Sequence, residues 1–126
     1  MLDNPKGELV IKMVAMPADT NAHGDIFGGW LVSHMDLGAG VAARHRANNR
    51  CVTVAIDELQ FINRVNVGDT VCCYADIVKV GRTSMRILIE VWTTAWLDSV
   101  QKKVAKGMFT FVAIDHAGRP CPIDKD

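Results

Sequence analysis

One carboxylate stands apart in this chain. Asp36 lies inside GDIFGGWLVSHMDLGAGVAARHR, residues 24–46, a glycine-rich turn that opens an otherwise apolar helical run. A lone charge there is costly to bury without a partner or a task. On helical spacing Gly29, Ser33, Asp36 and Gly40 share one small, polar stripe, while the neighbouring faces are bulky. Glycine and serine beside a carboxylate leave room for a small molecule, and a positioned carboxylate can act as a general base. An acid satisfied by the backbone or by His34, with a structural role only, accounts for the same spacing equally well.

The turn ahead of Asp36 supplies a second component. The first N–H groups of a helix have no internal partner and carry partial positive charge. Gly28 and Gly29 remove side chains from that end, so a carbonyl oxygen can approach bare amides, the arrangement of an oxyanion site. A Gly-Gly pair also serves simple helix-on-sheet packing. Asn21 and Asp25 are of helix-capping types. His23 adjoins the turn within reach of a ligand. His23, His34, His45 and His116 are scattered, without the H-x-H or H-x-x-x-H spacing of a metal site, so no metal is expected. Arg64 and Arg82 flank turns, where a guanidinium and backbone amides can hold a phosphate. A solvated surface is the plainer account of the set Arg64, Lys79, Arg82 and Arg86. Trp92 and Trp96 share one face of a strand, where core or interface packing is the default.

These residues need a frame. Gly7–Ala15 alternates as a strand, and Pro17 with Asp19, Thr20 and Asn21 makes a loop. A helix follows from Phe27 or Gly28 to Arg46, its basic end suited to the negative pole of the dipole. Every later segment reads as strand: Val52–Phe61, Thr70–Val80, Thr83–Trp96 and Gln101–Asp115, with turns at Val65–Asp69, Gly81–Arg82 and Asp98–Ser99. Short turns require antiparallel pairing. One helix of about 20 residues spans ~30 Å, comparable to a curved five-stranded sheet. Its apolar residues lie on most sides, which calls for burial. The expected class is α+β, a hot-dog fold with the sheet wrapped around the helix, and dimerisation protecting an open strand edge.

The 126 residues make one expected domain, with 119–126 as a loose tail. Fourteen basic residues balance fourteen acidic ones, which excludes the basic footprint of nucleic-acid binding. No apolar run approaches the ~20 residues of a membrane span, and Met1–Lys6 is too polar for a signal peptide. Cys51, Cys72, Cys73 and Cys121 include no CxxC pair, so reduced thiols and the cytoplasm are expected.

MPADTNAHGDIFGGWLVSHMD (16–36), TVAIDELQFINRVNVGDTVCCYADIVKVGRTS (53–84), IEVW (89–92) and FTFVAID (109–115) closely resemble the YciA-type hot-dog acyl-CoA thioesterases over nearly the whole chain. The resemblance implies hydrolysis of an acyl-CoA to free acid and coenzyme A, with no cofactor beyond the coenzyme A of the substrate. It implies Asp36 as the catalytic carboxylate, a general base toward water or, as the minor alternative, a nucleophile through an anhydride, and the Gly29 amide as the group that polarises the carbonyl. Asn21, His23, Asp25, Phe27, Gly28 and Ser33 would line the substrate site, with His23 standing where relatives usually carry a smaller residue. Arg64, Gly81, Arg82, Thr83 and Ser84 would contact coenzyme A. Homodimers with sites at the subunit interface, assembled as trimers of dimers, are implied as well. Two other readings compete. DTNAHGD (19–25) superficially matches the D-x-N-P-x-H motif of hot-dog enoyl-CoA hydratases, but Ala22 replaces the proline and His23 comes one residue early. A non-catalytic acyl-CoA sensor is the other.

Overall fold

Five segments whose apolar residues recur at alternate positions pair into one antiparallel sheet, and the single segment with helical spacing lies across it. The computed structural model describes residues 4–95 and 97–124. Strand β1 is Glu8–Val14, helix α1 is Gly28–Ala47, and β2 is Cys51–Phe61. Strands β3, Thr70–Val80, β4, Ser84–Thr94, and β5, Gln101–Ala113, complete the sheet, and a single 3-10 turn covers Pro17–Asp19. The strand order is β1-β3-β4-β5-β2, so β1 and β2 are the edges. Every pairing is antiparallel, and bulges interrupt each of the four ladders. Bulges increase local twist and bend a strand, which lets the sheet curve around α1. Val71, Cys73, Met85, Ile87, Ile89, Val91, Phe109 and Phe111 close on Met35, Ala39 and Ala43 to form the core. The expected α+β hot-dog architecture is the one observed.

Small residues seat the helix. A β-carbon on Gly38 would stand 2.9 Å from Val10 Cγ2, and one on Gly40 would meet Arg44 Nη1 at 3.1 Å. Asn48 ends the helix in the left-handed region at φ 50°, the conformation that asparagine tolerates and that satisfies terminal carbonyls.

Three expectations need correction. The helix is not buried all round: Ser33, Leu37 and Val41 form an outward stripe, with Leu37 59% exposed. A five-stranded sheet covers one side of a helix, and apolar residues all round do not say what covers the other. Gly40 belongs to the buried side against Phe111, which divides the small polar stripe. The stretch expected as a loose tail is packed through residue 124. Ile123 joins the core at 4% exposure, and its N–H donates to the Arg82 carbonyl at 2.8 Å. The Cys121 N–H donates to the Ala113 carbonyl, and Arg46 pairs with Asp124 at 2.8 Å.

Trp92 is buried on the sheet face away from the helix, and Trp96 lies outside the described residues. The Trp92 Nε1–H donates to Glu90 Oε1 at 3.1 Å, and Lys103 Nζ lies 3.2 Å from Glu90 Oε2. Those partners account for a carboxylate that is only 2% exposed. Among the described residues no helix is long and apolar enough to cross a membrane.

Because Ile123 fills a core position late in the chain, Ile123→Ala is expected to cost about 2–5 kcal/mol of stability. Denaturant unfolding checks this, and a loss below about 0.5 kcal/mol would show that the C-terminal stretch adds little.

Candidate active site

The carboxylate of Asp36 is met from the sheet. Thr53 sits near the start of β2 opposite Phe111, a pairing that turns its side chain toward the helix. Its Oγ1–H donates to Asp36 Oδ1 at 2.5 Å. A hydrogen bond to a charged acceptor is short and roughly twice as strong as a neutral one. It fixes one carboxylate oxygen and leaves the other without a side-chain partner among the described residues. Asp36 is half-buried because β2 is an edge strand and one flank of the helix beside it lies open. His34 does not serve as its partner. The His34 Nδ1–H donates to the Trp30 carbonyl at 2.8 Å, and its ring lies 4.4 Å from the Trp30 ring.

The start of α1 carries no side-chain cap. Phe27 occupies the N-cap position, extended at φ −78°, ψ 151°, and has no acceptor to offer. The amides of Gly28 and Gly29 are therefore the free donors of the first turn. Two rings flank them: Phe61 beside Gly28 and Phe27 beside Gly29. Ser33 turns its hydroxyl back onto the Trp30 carbonyl, 2.9 Å away.

Asn21 and Asp25 do not cap this helix. Asn21 builds the loop before it: its Oδ1 accepts from the His23 and Asp25 N–H groups at 2.9 and 3.2 Å. Gly24 closes that turn at φ +84°, where only glycine sits without strain. The loop is fastened by the Ile26 N–H to the Val65 carbonyl and by the Phe27 N–H to the Asp19 carbonyl, both at 3.3 Å. Asp25 pairs with Arg64, Oδ1 to Nε at 3.4 Å. His23 is exposed.

The residues expected to hold coenzyme A divide between two ends of the sheet. Gly81–Ser84 is the β3–β4 turn, closed by the Gly81 N–H to the Ser84 carbonyl at 2.7 Å. Ser84 aligns with Val112 and Val52, whereas Val91 aligns with Ala105 and Phe61. Seven strand residues separate those levels, about 23 Å. Arg64 follows Phe61, so one protomer does not bring Arg64 and Gly81–Ser84 together. Gly28 lies at the Phe61 end and Asp36 at the Thr53 end, about 10 Å apart along the helix axis for Gly29 and Asp36.

All four thiols are free. Burial pushes Cys73 up to about 12 and raises Cys72 and Cys51, the last in spite of Arg44 nearby. None of these three is a thiolate at neutral pH, so none is an activated nucleophile. Among the described residues no three His, Cys, Asp or Glu side chains converge on a metal-sized site.

Thr53 and Phe61 were not among the residues expected here. A hydroxyl at an inward position of an alternating apolar strand was the signal for Thr53. Phe61 reads as an ordinary strand residue until the helix start is seen beside it.

The Thioesterase superfamily profile matches residues 23–95, from the loop before α1 through β4. The chain belongs to the thioesterase superfamily. Within it, the chain is 48% identical over 126 residues to the acyl-CoA thioester hydrolase YciA of Salmonella typhimurium, covering 97% of this chain and 95% of that one. It is 47% identical over 119 residues to the YciA of Escherichia coli K12, with 92% and 90% covered. A hexameric thioesterase of Yersinia pestis superposes with a TM-score of 0.92 at 47% identity, covering 98% of this chain and 100% of that one. A hexameric broad specificity acyl-coenzyme A thioesterase superposes at 0.91 with 44% identity, covering 98% and 86%. The matched span of the thioesterase superfamily holds Asp36, Thr53 and the glycine start of α1.

A valine at position 53 keeps the β-branched shape and deletes the donor to Asp36. Thr53→Val is therefore expected to lower kcat for thioester hydrolysis about 10- to 100-fold, the range for losing a hydrogen bond to a charged group. Steady-state kinetics with circular dichroism checks this; an unchanged kcat in the folded variant would contradict it.

Proposed function

We propose that this chain hydrolyses acyl-CoA thioesters to a carboxylic acid and coenzyme A. The observation that carries the reading is a half-buried carboxylate held by Thr53 on the open flank of a helix whose first turn is bare glycine amide. Asp36 takes a proton from water, and the water oxygen attacks the thioester carbonyl. The oxyanion formed accepts a hydrogen bond from the Gly29 N–H. The C–S bond then breaks, and the coenzyme A thiolate recovers the proton from Asp36. These steps draw on the residues named and on water, with coenzyme A as the only cofactor-like group, carried by the substrate.

The working unit in this reading is a dimer. The β2 edge and the outward stripe of Leu37 and Val41 call for a cover. If β2 pairs antiparallel with β2 of a second copy, its Phe61 end lies beside the partner's Thr53 end. The Gly29 amide of one protomer then faces Asp36 of the other, whereas within one protomer the two lie about 10 Å apart along the helix, too far to grip one carbonyl together. The same pairing puts Arg64 of one protomer at the end where the partner carries its Gly81–Ser84 turn, so one coenzyme A can touch both. Asn21, His23, Asp25, Phe27, Gly28 and Ser33 line the mouth. A trimer of such dimers follows the hexamers of the similar thioesterases. Four free thiols accord with a cytoplasmic location.

Thiol release from a panel of acyl-CoAs tests the reading. Asp36→Asn is expected to lower the rate about 10²- to 10⁴-fold with fold and assembly intact. A near-normal rate in that variant would remove Asp36 from the mechanism.

A further inference from the structure

Phe61 ends β2 opposite Ala105, a residue of the core, so its side chain faces the helix side of the sheet. A β-carbon on Gly28 would stand 3.2 Å from Phe61 Cζ, and one on Gly29 would stand 3.2 Å from Phe27 Cε2. The two rings thus flank the two residues whose N–H groups are free. Both remain open in the protomer, Phe61 53% and Phe27 42% exposed. Aromatic rings carry the largest apolar surfaces of any side chain, and their burial is favourable. Two of them beside free amides make a place for apolar matter attached to a hydrogen-bond acceptor.

We propose that Phe61, with Phe27 across the helix start, sets which acyl groups are accepted at the carbons next to the thioester carbonyl. The inference rests on acyl-CoA hydrolysis with the carbonyl oxygen on the Gly29 amide. An N–H···O bond is about 2.9 Å long, and the α-carbon is one bond beyond the carbonyl carbon. The α- and β-carbons therefore fall within van der Waals reach of the rings. An unbranched chain passes between them, whereas a branch or an aryl ring at the α-carbon collides with Phe61. The ring acts on the group beside the carbonyl and leaves the far end of a long chain unread.

The test compares butyryl-CoA with isobutyryl-CoA and benzoyl-CoA in the wild type, Phe61→Ala and Phe61→Leu. Light scattering follows the assembly of each. The ratio of kcat/KM for either bulky substrate over butyryl-CoA is expected to rise about tenfold in Phe61→Ala and less in Phe61→Leu, the scale on which apolar pockets discriminate. An unchanged ratio overturns the proposal. So does an equal loss on all three substrates, with or without altered assembly, because that marks Phe61 as a packing residue. If wild type and variants release no thiol from any acyl-CoA, the hydrolase reading itself fails and takes this proposal with it.

Discussion

A carboxylate survives in an apolar helix only where something meets it, and here Thr53 does. The bond between Thr53 and Asp36 joins the edge strand β2 to helix α1. It holds the acid at a boundary, with core on one side and an open flank on the other. Buried deeper, the carboxylate would need a countercharge; fully exposed, it would have no fixed direction. The rest of the chain keeps that boundary in place. Gly38 and Gly40 let the helix settle into the sheet, and the bulges curve the strands around it.

The helix start is positioned by a separate set of contacts. Asn21 and Gly24 shape the loop, and two backbone hydrogen bonds pin Ile26 and Phe27 to Val65 and Asp19. The Val65–Asp69 turn is fastened in turn to Ala15, just past the end of β1: the Gly68 N–H donates to the Ala15 carbonyl at 2.9 Å, and the Ala15 N–H to the Asp69 carbonyl at 3.0 Å. The acid and the free amides are thus held by independent supports at two ends of one rigid rod. A rod cannot bend to bring them onto one carbonyl; in the proposed dimer a second copy set antiparallel to the first would do so.

Much of this was legible in the residues. Strand limits followed from alternation: Thr70–Val80 matched residue for residue, and the helix fell within a residue of its expected ends. What stayed hidden depends on pairs distant in sequence. Thr53 is seventeen residues from Asp36, and no spacing rule links a strand hydroxyl to a helix acid across a sheet. Leu37 and Val41 read as core because an apolar residue carries no mark of whether its own chain or another covers it. Ile123 was lost among Gly118, Pro120 and Pro122, whose loop signals outweighed one apolar anchor. Asn21 and Asp25 have the chemistry of caps, yet Asn21 satisfies its own loop and Asp25 pairs with Arg64.

Catalysis shared between subunits would show itself in subunit mixing. Asp36→Asn removes the acid, and Gly29→Pro removes one amide N–H at a first-turn position where no helical bond is lost. Each variant alone should be inactive. Unfolding them together and refolding the mixture should restore thiol release, because mixed pairs assemble one intact site from Asp36 of one chain and the Gly29 amide of the other. A mixture that stays as inactive as its parents, while light scattering and exchange of a tagged subunit show mixed assemblies, would contradict the account and confine the chemistry to a single chain.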